Sequence, residues 1–584
     1  MKKKDFLRGL IENPFLPYVV LLLWGILFTV LSYMVINAYQ PAYDFDFHAA
    51  RLVGLAQSLA NGDLLPNVNS LFSYGTGYAS AMFYGNWQFY LPAVLYNAVR
   101  NINIAYAFFA FLLVVFDSMS TYYCFSKMTK NKKNAFIVAL IIPCFYPAFG
   151  FGMTMIVGFV PMLYYALYKV LYENKTNPIL LAVIVALLVQ THILSTIVLA
   201  ISSFIFLVLN GRKVKIEHLM SFGVSAILGI LLASGYLIQY LEQVKSQSFY
   251  FSWVGRDFPV DSQVMFDLKE NFHSGFASLT NFYDLVLKVA VFYFLYRFQS
   301  LKSLSKSLLV GIVILYVSMT RLLPWESLLR YSFLGSLQYT ERLSFFLPIL
   351  VLLIVVLEVD FSVLKGLVVA ILSIYCMNHV YEVSVKHMDA SLQLMRERNQ
   401  RFSLVTKNPE SVLIDPIGDE YYNLDVRHEN VRVSDFKEFS NQTNVFIKNV
   451  KKSYNKLEFD VELLDNHQSA SVVLPLVWYK GYVADYSNGA SGSQPMMAIA
   501  KRTETEIKEM RSRRMPIFQN KVLHDGKIYL TISTSGHVVV RYQKTFLQYV
   551  GYSIECMSWG ILLLIGIYRW DMSQSALTAM KKII

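Results

Sequence analysis

The densest cluster of groups able to do acid–base or anion chemistry is Asp44-Phe45-Asp46-Phe47-His48-Ala49-Ala50-Arg51. Two carboxylates, an imidazole and a guanidinium fall close together, with Phe45 and Phe47 between them. The aromatics anchor the stretch at a bilayer surface rather than in water, and a carboxylate held beside low dielectric is a candidate general base. If the chain turns helical from Asp46 onward, His48 and Arg51 are three residues apart and share a face. An ordinary solvated loop is the plain alternative. Other candidates are Tyr84 in Phe83-Tyr84-Gly85-Asn86-Trp87, His192 in Thr191-His192-Ile193-Leu194-Ser195, and Glu341-Arg342 in Gln338-Tyr339-Thr340-Glu341-Arg342. His192 also reads as a hydrogen-bonded helix-end histidine, and Glu341–Arg342 as a surface ion pair. A buried Arg342 would suit a lipid-linked phosphate, because a guanidinium matches phosphate oxygens as a fork.

The elements that must position these groups are apolar. Of 584 residues 55% are hydrophobic and only 16% charged, against about 25% in soluble domains. The deficit concentrates in runs of bilayer-spanning length, which excludes a soluble enzyme, a coiled coil and a disordered chain. The runs are Pro17–Asn37, Ala105–Phe125, Ala135–Phe149, Met155–Leu171, Pro178–Thr191, Ile193–Leu209, Leu219–Tyr240, Phe282–Tyr296, Leu308–Met319, Leu343–Leu357, Gly366–Cys376 and Phe546–Tyr568. They predict a polytopic α-helical membrane protein of about twelve spans. The net charge of +12 resides mostly in short connectors such as Lys130, Lys132 and Lys133 or Arg212, Lys213 and Lys215. That bias predicts cytoplasmic termini with every long loop outside, and argues against nucleic acid as a partner. The basic start MKKKDFLRGL precedes an apolar stretch without a small-residue cleavage site, so it reads as a retained first span.

Three parts follow: residues 1–380 as a transmembrane domain whose first outer loop is 38–104, residues 381–545 as an extracytoplasmic β-rich domain, and residues 546–584 as a last span and cytoplasmic tail. In the first loop Ala49–Asn61 reads as an amphipathic helix, and Phe89–Val99 as an apolar segment too short to cross. In the β-rich part Lys456–Leu463 alternates like a strand, Ala470–Tyr479 reads as a buried strand, and Lys527–Tyr542 as a hairpin turning near Ser535–Gly536. Tyr421-Tyr422 and the Arg511–Arg514 cluster read as solvated surface. The four cysteines, Cys124, Cys144, Cys376 and Cys556, lie in or beside apolar runs, so the polar segment has no disulfide framework. There is no G-x-x-x-x-G-K-[ST] run, no H-E-x-x-H and no paired C-x-x-C, which excludes a Walker ATP site and the common zinc motifs. Apart from Lys288, read as snorkelling, the spans hold almost no ionisable residues, which disfavours ion-coupled transport.

Asp44, Phe47, His48 and Arg51, followed by Asn61-Gly62-Asp63, Gly75-Thr76-Gly77-Tyr78 and Phe83-Tyr84, resemble the first outer loop of YfhO-like bacterial membrane proteins. The pattern also resembles the family labelled 6-pyruvoyl-tetrahydropterin-synthase-related, and both look like members of the GT-C glycosyltransferase superfamily. Thr191–Ser195 is similar to a T-H-L-L-S turn in these proteins, and Gln338–Phe345 to a Q-F-P-W-R-F run, with Tyr339, Thr340 and Glu341 departing from it. Glu420-Tyr421 resembles the start of an E-Y-L-P motif, and Leu474-Pro475 with Trp478–Tyr482 an L-P…Y-x-G-Y strand.

The resemblance implies a GT-C-like fold and a glycosyltransferase that draws on a polyprenyl-phosphate-sugar donor at the outer face of a bacterial plasma membrane. The acceptor it implies is a cell-envelope glycopolymer of teichoic-acid type. Asp44 fills the family's acidic position and is the expected general base of an inverting displacement. Asp46 either takes that role, or orients His48 or a divalent cation. His48, Arg51, His192, Arg342, Glu341 and Tyr84 are the expected substrate-binding residues. A lipid-linked saccharide flippase, or an envelope assembly component without catalysis, is the competing class; a flippase needs a polar path through the spans.

Overall fold

The structure is a computed structural model. It describes residues 13–32, 44–69, 75–146, 152–247, 249, 279–325, 327–329, 332–337, 339–381, 388–407, 421–422, 426, 439–464, 469–487, 496–497, 500–501, 504, 508, 521–522 and 526–583. Most of these residues are helical, and a separate β-sheet region follows the helices. Long apolar stretches become helices because a backbone surrounded by hydrocarbon must satisfy its own N–H and C=O groups.

In chain order the helices are α1 (Leu16–Ser32), α2 (Phe45–Ala60), α3 (Tyr90–Val99), α4 (Ile102–Thr129), α5 (Lys132–Ile141), α6 (Phe159–Glu173), α7 (Pro178–Thr191) and α8 (Ile193–Leu209). They continue as α9 (Ile216–Leu232), α10 (Ser234–Ser246), α11 (Leu279–Tyr296), α12 (Ser303–Ser318), α13 (Leu347–Glu358), α14 (Phe361–Tyr381), α15 (Met388–Lys407) and α16 (Phe546–Ile583). Each apolar run named above falls on or overlaps one of them. Among the described residues four segments are long and apolar enough to cross a bilayer: Ile102–Thr129, Thr340–Glu358, Phe361–Asn378 and Phe546–Arg569. A fifth arises if α9 and α10, bent by 75° at their junction, form one span.

Ionisable groups inside the apolar helices are more numerous than the sequence reading allowed. Asp117 is buried on α4, and Glu555 on α16 accepts from Gln190 Nε2 and from the Gly235 backbone N–H at 2.9 and 2.8 Å. Lys288 pairs with the half-exposed Asp284 one turn away at 2.8 Å. Glu555 and Asp117 lie where another segment supplies a polar partner or a close backbone approach, which local hydropathy cannot reveal.

The β region contains β1 (Ser440–Thr443), β2 (Val445–Ser453), β3 (Lys456–Leu463), β4 (Ala470–Val477), β5 (Tyr482–Tyr486), β6 (Met496–Met497), β7 (Ala500–Lys501), β8 (Lys521–Val522), β9 (Lys527–Ile532) and β10 (Gly536–Tyr542). Two four-stranded sheets, ordered β1-β4-β9-β6 and β2-β3-β10-β5, share one apolar core containing Phe459, Val472, Leu474, Leu530 and Val540. The expected hairpin is not formed. β9 pairs with β4 and β6, whereas β10 pairs with β3 and β5. Ile532 and Val538 are both fully buried in that core, so the chain crosses between the sheets at the turn near Ser535.

Sheet and helices meet at the first loop. The Val477 N–H donates to Thr76 O at 2.9 Å, and the amide of Gln243 on α10 donates to Lys480 O at 2.7 Å. Glu242 joins the contact through Lys480 Nζ at 3.2 Å and through Gln548 and Thr545 on the α16 side.

Candidate functional site

α2 opens at Asp44, whose carbonyl accepts the His48 N–H at 3.0 Å. Aspartate at such a position usually caps the helix with its side chain. Here the side chain makes no capping hydrogen bond. At 3.6 residues per turn, Asp44, His48 and Arg51 share one face of α2, while Asp46 falls on the opposite face. The helix begins at Phe45, four residues earlier than the amphipathic pattern predicted, because buried Phe45, Phe47 and Ala49 extend its packing surface against α4 and α3.

Arg51 is only 2% exposed. Its Nη2 donates to Gly85 O at 2.9 Å and to Asn86 Oδ1 at 3.2 Å, and its Nη1 donates to His48 Nδ1 at 3.0 Å. The guanidinium lies over the rings of Tyr84, Phe89 and Phe47, at 4.6, 4.9 and 5.8 Å from their centroids. Among the described residues no carboxylate pairs with it, and its Nε has no partner. Burial lowers its pKa to about 10, so it stays a cation at neutral pH. An isolated charge in such a place is costly unless a counter-ion shares the site.

Arginine has no acceptor, so His48 Nδ1 must be the acceptor and its proton must sit on Nε2. That Nε2 is buried and without a partner among the described residues. Burial pushes the His48 pKa well below its ordinary value, with the charges of Arg51 and His192 acting in the same direction. His48 is thus a neutral imidazole presenting one unused donor.

His192 ends α7 and begins α8. Its Nδ1 accepts from the Ser195 N–H at 3.2 Å and lies 2.6 Å from Ser195 Oγ, which leaves Nε2–H to donate to the Tyr84 hydroxyl at 2.9 Å. Burial takes its pKa down to about 3, helped by Arg342 and Arg51. The helix-end reading and the site reading of His192 therefore hold together: one nitrogen caps α8 and the other reaches the first loop. Two close approaches hold this corner. A Cβ on Gly85 would stand 1.8 Å from Gln190 O, and one on Gly152 would stand 3.0 Å from the Tyr84 hydroxyl and 3.3 Å from the His192 ring.

Arg342 lies on the short helical turn Thr340–Ser344, with Nε and Nη1 buried and unpartnered among the described residues. Its charge acts on both Asp44 and His192. Burial raises the Asp44 pKa above the ordinary carboxylate value, and the Arg342 charge partly reverses that rise. The structure therefore brings Asp44, His48, Arg51, Tyr84, His192 and Arg342 into one electrostatic neighbourhood. Glu341 does not join them, since its side chain is exposed. Among the described residues no group of three or more His, Cys, Asp or Glu side chains could hold a metal ion.

Residues that the sequence reading passed over complete the site. Gly85 and Asn86 supply acceptors to Arg51, Phe89 supplies a face, and Ser195 fixes the His192 ring. Tyr421 is the largest revision. Its sequence context reads as solvated surface, yet its ring stacks on Phe83 at 4.9 Å and lies within 5.8 Å of Tyr84. Tyr422 is 1% exposed and meets Tyr78 edge-on at 4.8 Å. Tyr479 secures the pair by donating to Tyr421 O at 3.0 Å. Gln338, Glu420 and Arg511–Arg514 lie outside the described residues.

Fold and site together define a membrane protein of many apolar helices whose first loop and β-region tyrosines close over a buried cationic cluster. Residues 81–386 match the model of the 6-pyruvoyl-tetrahydropterin synthase related domain, a membrane-protein family, and the chain belongs to that family. Tyr84, His192, Glu341 and Arg342 fall inside the matched range; Asp44–Arg51 precede it. No curated protein matches the chain.

Proposed function

We propose that the chain is a GT-C-type glycosyltransferase that moves a sugar from a polyprenyl-phosphate-linked donor to a cell-envelope glycopolymer at the outer face of a bacterial plasma membrane. In this reading about twelve helices span the bilayer, both termini are cytoplasmic, and the two-sheet domain is extracytoplasmic; the Lys and Arg bias of the short connectors supports that orientation. The observation that carries the proposal is the buried Arg51 guanidinium, which lacks a carboxylate among the described residues and shares its site with unused donors on His48 and Arg342. Such a set suits an anion supplied by a ligand. A polyprenyl phosphate brings that anion together with an apolar tail for the surrounding helices.

Asp44 removes the proton from an acceptor hydroxyl. That oxygen attacks the anomeric carbon and forms the new glycosidic bond, and the bond from the anomeric carbon to the phosphate oxygen breaks with inversion. The electron pair leaves on the polyprenyl phosphate, and the proton remains on Asp44. A carboxyl whose pKa is raised by burial is the stronger base. Arg51, Arg342 and the neutral His48 Nε2–H stabilise the phosphate as charge develops on it. The Ser195–His192–Tyr84 chain orients the Tyr84 hydroxyl beside the guanidinium.

The experiment compares the sugar content of purified envelope polymers, by mass spectrometry, among wild type, a deletion strain, and Asp44→Asn and Asp46→Asn strains with normal membrane levels of the protein. Loss of one sugar substituent in both the deletion and Asp44→Asn is expected. Wild-type decoration in both Asn strains, with loss only in the deletion, contradicts the carboxylate mechanism.

A further inference from the structure

At the far end of α2 from Asp44, a cleft of about 490 Å³ opens between the first loop and the two-sheet domain. Its size falls in the range of about 300–1,000 Å³ found for small-ligand sites. One wall is Asn61–Asp63 with Asn67 and Val68. The facing wall is built from the β2–β3 turn around Tyr454, the end of β10 with Arg541, and Lys544 and Tyr549 beyond it.

Three features give the cleft a chemistry. Asn67 is 3% exposed, and its amide nitrogen already donates to Gln239 at 3.0 Å and to Gln548 at 3.5 Å. Its Oδ1 is buried without a partner among the described residues, and a buried acceptor left unmet is destabilising until something donates to it. The cations Lys456, Arg541 and Lys544 outnumber the carboxylate Asp63 along the walls. Lys456 and Arg541 are steered by Glu458 and Asp485 at 2.6 and 3.5 Å. Lys544 is only 17% exposed and, among the described residues, has just a long 3.9 Å contact to Asp63, which itself accepts from Tyr454 at 3.0 Å. Finally, Tyr454 and Tyr549 offer ring faces, with Tyr549 half exposed.

Amide and carboxylate acceptors suit hydroxyl groups, ring faces suit the C–H side of a sugar, and a largely buried lysine without a close counter-ion among the described residues suits an anion. We propose that this cleft binds a segment of an anionic glycan. Sixteen residues of helix, at 1.5 Å each, set the cleft about 24 Å from Asp44 along the α2 axis. In the transferase reading the bound segment is thus remote from the chemistry and belongs to the chain that reacts rather than to the reacting sugar. Calling that chain the acceptor rests on the transferase reading; the binding itself does not.

The test titrates the full-length protein in detergent, by calorimetry, with a hyaluronan tetrasaccharide, a glycerol-phosphate tetramer and neutral chitotetraose. The proposal expects at least one anionic probe to bind, about tenfold more tightly than chitotetraose, and identifies the anion as carboxylate or phosphodiester by which one does. Lys544→Gln, and separately the exposed pair Lys456→Gln with Arg541→Gln, should weaken that probe about tenfold. Asp44→Asn should leave its affinity unchanged. Equal binding of chitotetraose, no binding of any probe, or affinities untouched by the cleft substitutions would each overturn the proposal. Because the readout is binding, a failed transferase reading leaves these outcomes intact.

Discussion

The two ends of α2 handle charge in opposite ways. At its start, Arg51 is 2% exposed and bound to a carbonyl, an amide and an imidazole, with no carboxylate among the described residues. At its end, Lys456 and Arg541 have acidic neighbours and partial exposure. A compensated surface charge contributes little to stability and serves to select partners. A buried charge surrounded by neutral dipoles persists only if the fold or a ligand over-determines it. In the proposed function the first end receives the charge that arrives with substrate, and the second serves recognition.

The largest effect on this contrast is expected from Arg51→Lys. A lysine keeps the charge but cannot reach Gly85, Asn86 and His48 together, so transfer should fall about 10²–10³-fold; a rate near wild type would show that the fork has no role. Gly85→Ala should come next. A methyl group 1.8 Å from Gln190 O must displace the turn that accepts from Arg51, destabilising the protein by about 1–3 kcal/mol. Thermal unfolding in detergent reads that loss, and an unchanged midpoint would show that the turn yields freely.

Acidity should separate the two ends as well. The His192 pKa falls from 6.5 in the unfolded chain to about 3 in the fold, so the unfolded form takes the proton first. Stability is complete above about pH 6.5 and declines toward pH 3, by up to about 1.4 kcal/mol per pH unit. His48 acts in the same direction. His192→Gln should flatten the dependence of the unfolding midpoint between pH 7 and 5, whereas cleft substitutions should not. The smallest effect is expected for Asp46→Asn, which lies on the opposite face of α2 and should keep transfer within about threefold of wild type; a loss equal to that of Asp44→Asn would erase the distinction between faces.

Much of the site was legible because it is local. His48 and Arg51 meet through helical spacing alone, Asp44 falls on the same face, and Thr191–Ser195 shows a histidine positioned to cap a helix. β3 and β4 were legible for the same reason, since alternation and a continuous apolar run are written in consecutive residues. What escaped depends on distant segments. Gly85 and Asn86 look like an ordinary aromatic turn until Arg51 reaches them from α2. Tyr421 and Tyr422 look solvated until Phe83 and Tyr78 cover them. β9 and β10 have the spacing of a hairpin, and only the sheet that each joins shows that they separate. Hydropathy averages over a span and does not register a single acid, whether Glu555 meeting its partners on other helices or Asp117 beside the Gly158 backbone.

The central claim is that Asp44 at the buried end of α2 acts as the base in sugar transfer from a lipid phosphate. The most direct measurement reconstitutes wild type, Asp44→Asn and Asp46→Asn in liposomes with a radiolabelled polyprenyl-phosphate sugar and an envelope glycopolymer, and follows label entering the polymer across pH. The account predicts transfer by wild type, an acid limb lying above the ordinary aspartate value of 3.8, and a loss of about 10²–10⁴-fold in Asp44→Asn with donor binding retained. Transfer by Asp44→Asn at the wild-type rate would contradict it.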